Sequence, residues 1–305
     1  MTISLELGYY PKRLDFTVGD VTVSTLDDLD ESAMGVNECC LIEKDWIYAP
    51  RQRVRDFMSG ELTTLPYSAR IFGLPKTHRI DHANAGDIEH VRFLVWVLGF
   101  IKGMRLTDAE AGFLDATPIK PGTLHDMVWD RKSEEKALGI ADAFGRRHAG
   151  NPKISKMIVG VIHSLFLSQT PSLLCFEKFV YLYTALDGCH HAHSITTNQN
   201  PRAGGHAARI AKLCSAFGCP VPAWADPQNK QVADLRNDTL HEGLFFDEPL
   251  GFRVFSGTSP TGSHQNILLE MRCLVCRFLC AMLGFNDQQY VTSPVNTRQM
   301  IEIQL

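Results

Sequence analysis

Arg236-Asn237-Asp238-Thr239-Leu240-His241 places a permanent cation and an imidazole in one short segment, with the pattern Arg-x4-His. A guanidinium presents a fork of N–H donors that matches a phosphodiester and stabilises charge developing on its oxygens. An imidazole titrates near neutral pH and can move a proton at a 2'-hydroxyl or at a leaving oxygen. Asn237, next to the arginine, carries both a donor and an acceptor and can orient either group. The chemistry this set suits is proton-transfer cleavage of a phosphodiester.

The segment ends a helix expected from about Pro227 to His241. Val232, Leu235 and Thr239 form its inward face, so at about 100° per residue His241 points nearly away from the core and Arg236 sits on the flank. Gly243 marks a helix stop, which puts His241 in or near the last turn, where the helix dipole favours its protonation. A structural alternative stands beside this one: Arg236 pairs with Asp234 or Asp238, and His241 merely caps the helix.

Other groupings compete for attention. Cys189-His190-His191-Ala192-His193 gathers four metal-ligand types, with Cys175 as a further one, but ligands packed into five consecutive residues do not easily converge on a tetrahedral ion. Cys273, Cys276 and Cys280 have helical spacing, which suits small core residues. His78, His82, Asp87 and His90 form a loose cluster of the kind a hydrolytic metal centre needs, without a recognised spacing. Arg51, Arg53 and Arg55 share one face if their segment is extended, forming either a phosphate-contact row or a solvated charged face. The chain has no Gly-rich phosphate loop followed by Lys-Ser or Lys-Thr, which disfavours P-loop nucleotide hydrolysis. No metal or cofactor is expected.

The elements that must position these residues fall into two halves. Before residue 80, Leu14, Phe16 and Val18 alternate, as do Val21 and Val23, and Gly19-Asp20 supplies a turn, so this region reads as strands and turns. Val91 to Leu98 reads as a buried helix, with a strand left open by its β-branched content; Pro118 to Gly122 breaks regular structure, and Ser133 to Phe144 is helical again. The polar stretch from Gly145 to Pro152 is the expected domain boundary, giving units 1–150 and 151–305. Beyond it, Ile154, Ile158, Val161, Leu165 and Phe166 share a helix face, as do Phe176, Phe179, Val180, Tyr183 and Leu186. Further helices are expected from Gly205 to Phe217, over the Arg236 segment, and around Ile267, Met271, Leu274, Val275, Phe278 and Met282. The fold class is therefore α+β: a β-containing N-terminal domain, then a bundle of four or five helices.

A chain of 305 residues that is 45% hydrophobic and 21% charged has enough apolar mass for such cores. Its net charge of -4 argues against non-specific coating of nucleic acid. The charge is uneven: residues 1–150 carry 18 Lys+Arg against 23 Asp+Glu, and residues 151–305 carry 12 against 11. A local phosphate site in the second half is compatible with that. No stretch suits a membrane span of roughly 20 apolar residues, and no secretory leader is expected. Nine cysteines without scaffold-like spacing point to reduced thiols in the cytoplasm.

The long helix Phe176-Glu177-Lys178-Phe179-Val180-Tyr181-Leu182-Tyr183-Thr184-Ala185-Leu186, the segment Leu235-Arg236-Asn237-Asp238-Thr239-Leu240-His241-Glu242-Gly243 and the closing apolar helix together resemble the Apea-like group of the HEPN superfamily. The resemblance covers about half the chain. It implies an all-α HEPN-type domain that cleaves RNA without a metal, at a composite site where two Arg-x4-His motifs meet across a homodimer. Arg236, His241 and Asn237 would then be the functional residues, RNA the substrate, and defence or toxin-like RNA restriction the role. The family also contains non-catalytic binding modules, so an RNA- or protein-binding module is the other function it implies. Residues 1–150 carry no comparable signature and are expected to recognise a ligand, RNA or a partner.

Overall fold

The computed structural model describes residues 2–109, 113–115, 117–122, 126–201, 205–228, 231–237, 240, 267–296 and 300–305. They form two compact units, residues 1–123 and 124–305. The first is β-rich and the second mostly helical, an α+β architecture.

The first unit runs β1 (Ile3–Leu7), β2 (Phe16–Val18), β3 (Val21–Thr25), α1 (Leu29–Cys39), β4 (Leu41–Glu43), β5 (Trp46–Tyr48), β6 (Arg51–Arg55), β7 (Leu62–Ser68), β8 (Ile71–Gly73), β9 (His78–His82), α2 (Ile88–Lys102) and β10 (Phe113–Asp115). Its main sheet is antiparallel in the order β1-β9-β3-β2. The alternation of Val21 and Val23 sends both inward beside Ile80, and α2 packs against this sheet. The β2–β3 turn holds Gly19 at φ +57°, a left-handed conformation that glycine adopts without a side-chain clash. α2 starts where the Asp87 carboxylate accepts from His90 N–H, and it stops at left-handed Gly103. Between them Val91, Leu94, Val95, Leu98 and Ile101 are buried.

The second unit runs β11 (Met127–Trp129), α3 (Arg131–Arg147), α4 (Pro152–Leu167), α5 (Cys175–Thr196), α6 (His206–Phe217), a 3-10 turn at Ala223–Ala225, α7 (Gln231–Asn237), α8 (Ile267–Leu283), α9 (Gln288–Val291) and β12 (Ile301–Ile303). α5 is its centre, packed on α4, α6 and α8. The core comprises Ile158, Ile162 and Leu165 from α4, Phe179, Leu182 and Leu186 from α5, and Leu274, Phe278 and Leu279 from α8. At Gly188 of α5 a Cβ would lie 2.8 Å from Val161 Cγ2, so these helices approach closely because that position has no side chain. The unit is not wholly helical, because β11 and β12 pair in parallel, Met127 opposite Ile301.

Two expectations differ from this arrangement. α1 lies in the stretch read as strands and turns: only Leu29 and Val36, seven residues apart, are buried on it, too sparse a pattern to display a helical period. The expected division near residue 150 falls inside the second unit, at the turn between α3 and α4. The polar run there connects two helices of one bundle: Ala137, Leu138 and Ala141 of α3 are as buried as the α4 core.

Candidate active site

Arg236 and Asn237 close α7, and Arg236 Nη1–H donates to Asn237 Oδ1 at 3.0 Å. The α7 face has the expected phase, with Val232 buried, Leu235 half-buried and Asn237 exposed. Arg236 is half-buried, so its guanidinium lies lower on the helix flank than a fully outward side chain. His241 and Thr239 lie outside the described residues.

The groups whose electrostatics Arg236 influences, Tyr183 and His206, come from α5 and α6. Tyr183 and Asp187 stand one turn apart on α5, with His191 one turn further on, so all three share a stripe. His206 and Arg209 open α6 at i, i+3 spacing. The Tyr183 hydroxyl lies 3.1 Å from His206 Nδ1, and Arg209 Nη1 lies 3.3 Å from the same nitrogen. Arginine has no acceptor, so Nδ1 must accept, and the proton of the neutral ring sits on Nε2. Arg209 also donates to the Asp187 carboxylate, and His191 Nδ1 lies 2.9 Å from the Asp187 carbonyl oxygen.

The electrostatics follow from this crowding. Burial, then the charges of Arg209 and Arg236, lower the His206 pKa, while Asp187 pulls it back up. Burial, reinforced by Asp187, pushes the Tyr183 hydroxyl up to about 12, with Arg236 and Arg209 opposing. Burial and Arg209 hold His190 down to about 4. The cluster thus has two permanent cations, one carboxylate, a protonated Tyr183 phenol and a His206 imidazole pushed towards its neutral form, which suits an anionic ligand. Further along α5 and α6, a cleft of about 490 Å³ is lined by His190, His193, Asn200 and Lys212 among others.

The remaining sequence candidates separate. Within Cys189-His190-His191-Ala192-His193, Cys189 and His190 are buried, His191 turns to Asp187, and His193 packs edge-on against Phe217 at 4.9 Å. Cys175 lies at the opposite end of α5. Cys273, Cys276 and Cys280 are all buried on α8, and burial raises their thiol pKa values. Of the N-terminal cluster, His78 is held by Thr77 Oγ1 at 2.9 Å and Lys12 O at 3.0 Å, and Asp87 is spent on the α2 cap. His82 and His90 do come together, with ring centroids 5.3 Å apart. Arg51, Arg53 and Arg55 lie exposed along β6.

Tyr183, Asp187, His206 and Arg209 are the site residues that sequence reading missed. Their signal was the four-residue spacing of Tyr183, Asp187 and His191, which only the packing of α5 on α6 turns into a constellation. No protein-family model, curated protein or solved structure matches the chain.

Proposed function

We propose that the chain is an endoribonuclease of HEPN type that cleaves RNA without a metal, at a composite site formed by two copies of the Arg-x4-His motif. The observation that supports this most is that Arg236, five positions before His241 in the chain, lies within electrostatic reach of Tyr183 and His206, which hydrogen-bond each other beside Arg209 in a half-buried cluster. A phosphodiester is an anion whose geometry the fork of a guanidinium fits.

In this mechanism Arg236 grips a non-bridging phosphate oxygen and stabilises charge as the 2'-oxygen attacks phosphorus. One His241 takes the 2'-hydroxyl proton, and the partner's His241 protonates the leaving 5'-oxygen as its bond to phosphorus breaks. The products are a 2',3'-cyclic phosphate and a 5'-hydroxyl. Asn237 orients Arg236 through the hydrogen bond between them. The scheme uses no cofactor, and the role is defence or toxin-like RNA restriction in the cytoplasm. All nine cysteines are free thiols, as a reducing compartment would keep them, and among the described residues no helix is long and apolar enough to cross a membrane.

The test is cleavage of total RNA by the purified chain, with and without excess chelator. Fragments ending in 2',3'-cyclic phosphate under both conditions, absent with His241→Ala, are the expected result. Loss of cutting in EDTA and its return with zinc or magnesium would replace the scheme with a metallohydrolase. RNA binding without any cutting would leave a non-catalytic binding module.

A further inference from the structure

β6 and β7 form a two-stranded antiparallel arm outside the main sheet of their unit. Arg53 faces Thr64 and Arg55 faces Leu62 across the ladder, and directly paired residues share a face. The register shifts between Arg51 and Arg53; Arg51, paired with Ser68 beyond the shift, keeps the two-residue spacing of the row on β6, so the row's paired residues hold three guanidiniums and no carboxylate. The two acids of the arm, Asp56 and Glu61, fall on the opposite alternation at the tip, where Asp56 N–H donates to Glu61 O. The Asp56 carboxylate is held in the turn, accepting from Met58 N–H at 2.7 Å and Ser59 N–H at 2.8 Å. That turn presents Phe57 and Met58 at 99% and 97% exposure. Among the described residues no ion pair engages Arg51 or Arg53.

A fully exposed Phe-Met tip on a one-sided arginine ribbon needs a ligand that offers both anions and flat apolar faces. We propose that the β6–β7 arm binds single-stranded RNA, with Arg51, Arg53 and Arg55 tracking successive phosphates and Phe57 and Met58 packing against unstacked bases. Alternate strand residues stand about 6.8 Å apart, a separation suited to neighbouring phosphates of an extended strand. Unpaired bases stack on exposed aromatic rings, whereas the narrow major groove of duplex RNA cannot be read by side chains. The choice of RNA rests on the ribonuclease reading above; the shape and charge of the arm do not.

The experiment is fluorescence anisotropy of the full chain with a labelled 2'-O-methyl oligouridylate, which lacks the attacking hydroxyl and so stays intact. Arg51→Glu/Arg53→Glu/Arg55→Glu should weaken binding at least about tenfold and flatten the slope of log K against log salt by about 2, near 0.7 per lost phosphate contact. Phe57→Ala/Met58→Ala should weaken binding about tenfold with little change in that slope. Both variants should melt as wild type does, since every altered side chain is exposed. Affinity within about twofold of wild type in both variants, tighter binding of the duplex than of the single strand, or a changed sedimentation coefficient with unchanged RNA affinity would each overturn the proposal, the last making the arm a self-association surface. Its failure is separable from that of the nuclease reading. A wild-type chain that cuts RNA while tolerating the arm variants sinks only the arm; one that binds the oligomer through the arm but cuts nothing sinks only the nuclease.

Discussion

In the proposed scheme Arg236 and His241 ask different things of a substrate, and variants should separate them. His241→Ala removes a proton carrier and is expected to slow cleavage by about 10²- to 10⁴-fold with RNA affinity little altered. Arg236→Ala removes a phosphate grip, so it should weaken RNA binding more than His241→Ala does, in a filter or anisotropy assay on uncut substrate. A second prediction concerns His206, whose pKa is lowered by burial and by Arg209 and Arg236 against the pull of Asp187. Its imidazole signals should titrate below the ordinary value of about 6.5, and Asp187→Asn should move that midpoint lower still. A titration by NMR in which Asp187→Asn raises the midpoint would contradict the electrostatic picture. At this scale Arg236, Asn237 and His241 could be singled out because they are close in sequence, and of them only Arg236 and Asn237 fall among the described residues. Tyr183, Asp187, His206 and Arg209 were not, because they belong to two helices and meet only once the phase and packing of both are set.

Among the elements, α5 does most of the positioning, and its closeness to α4 depends on one missing side chain. Gly188→Ala would gain up to about 1 kcal/mol of helix propensity, but the new Cβ would lie 2.8 Å from a stiff, branched Val161. Overpacking of this kind typically costs about 1–3 kcal/mol. The variant should therefore melt lower than wild type, and adding Val161→Ala should recover part of the loss; equal or higher melting of Gly188→Ala alone would mean that α4 yields freely. The helices α3 to α6 and α8 were readable because their apolar residues recur at three and four positions over several turns, whereas the nearly continuous apolar run of α2 left a strand open. α1 lacked that density. The parallel β11–β12 pair was invisible for another reason: three residues at each end of a long stretch carry no periodic signal, and only the folded bundle brings them side by side.

For the whole molecule, the composite-site scheme requires two copies, so sedimentation at micromolar concentration should show a dimer, and a strict monomer would count against it. Within the second unit, stability should depend on acid through a buried network. Arg277, 1% exposed, donates to Asp126 at 2.9 Å and to Ser293 Oγ at 2.8 Å, lies over the Tyr290 ring, and the Tyr290 hydroxyl donates to the other Asp126 oxygen. Burial alone would raise the Asp126 pKa, but Arg277 and Tyr290 outweigh it and the net shift is downward. A depressed folded value means the contribution is full above the unfolded value of about 3.9 and disappears as pH falls through the folded one. Asp126→Ala should cost about 3–5 kcal/mol at pH 7 by leaving Arg277 buried without its counter-charge. It should also shallow the acid limb in urea unfolding from pH 7 to 3, and an unchanged limb would remove Asp126 from the account.

The β11–β12 closure bears on when the second unit completes its fold as well as on how it is held. Leu305 N–H donates to Ser133 Oγ across 172 residues, beside the pairing of Met127 with Ile301. A ribosome makes about 5–20 residues per second, so β11 is synthesised many seconds before β12 exists to pair with it. Through that interval α3 to α8 can form helices, yet the second unit cannot lock its first strand against its last. Until β12 is made, the edge of β11 that it will cover stays open to other strands, so the order of synthesis sets an interval in which mispairing competes with closure of the second unit.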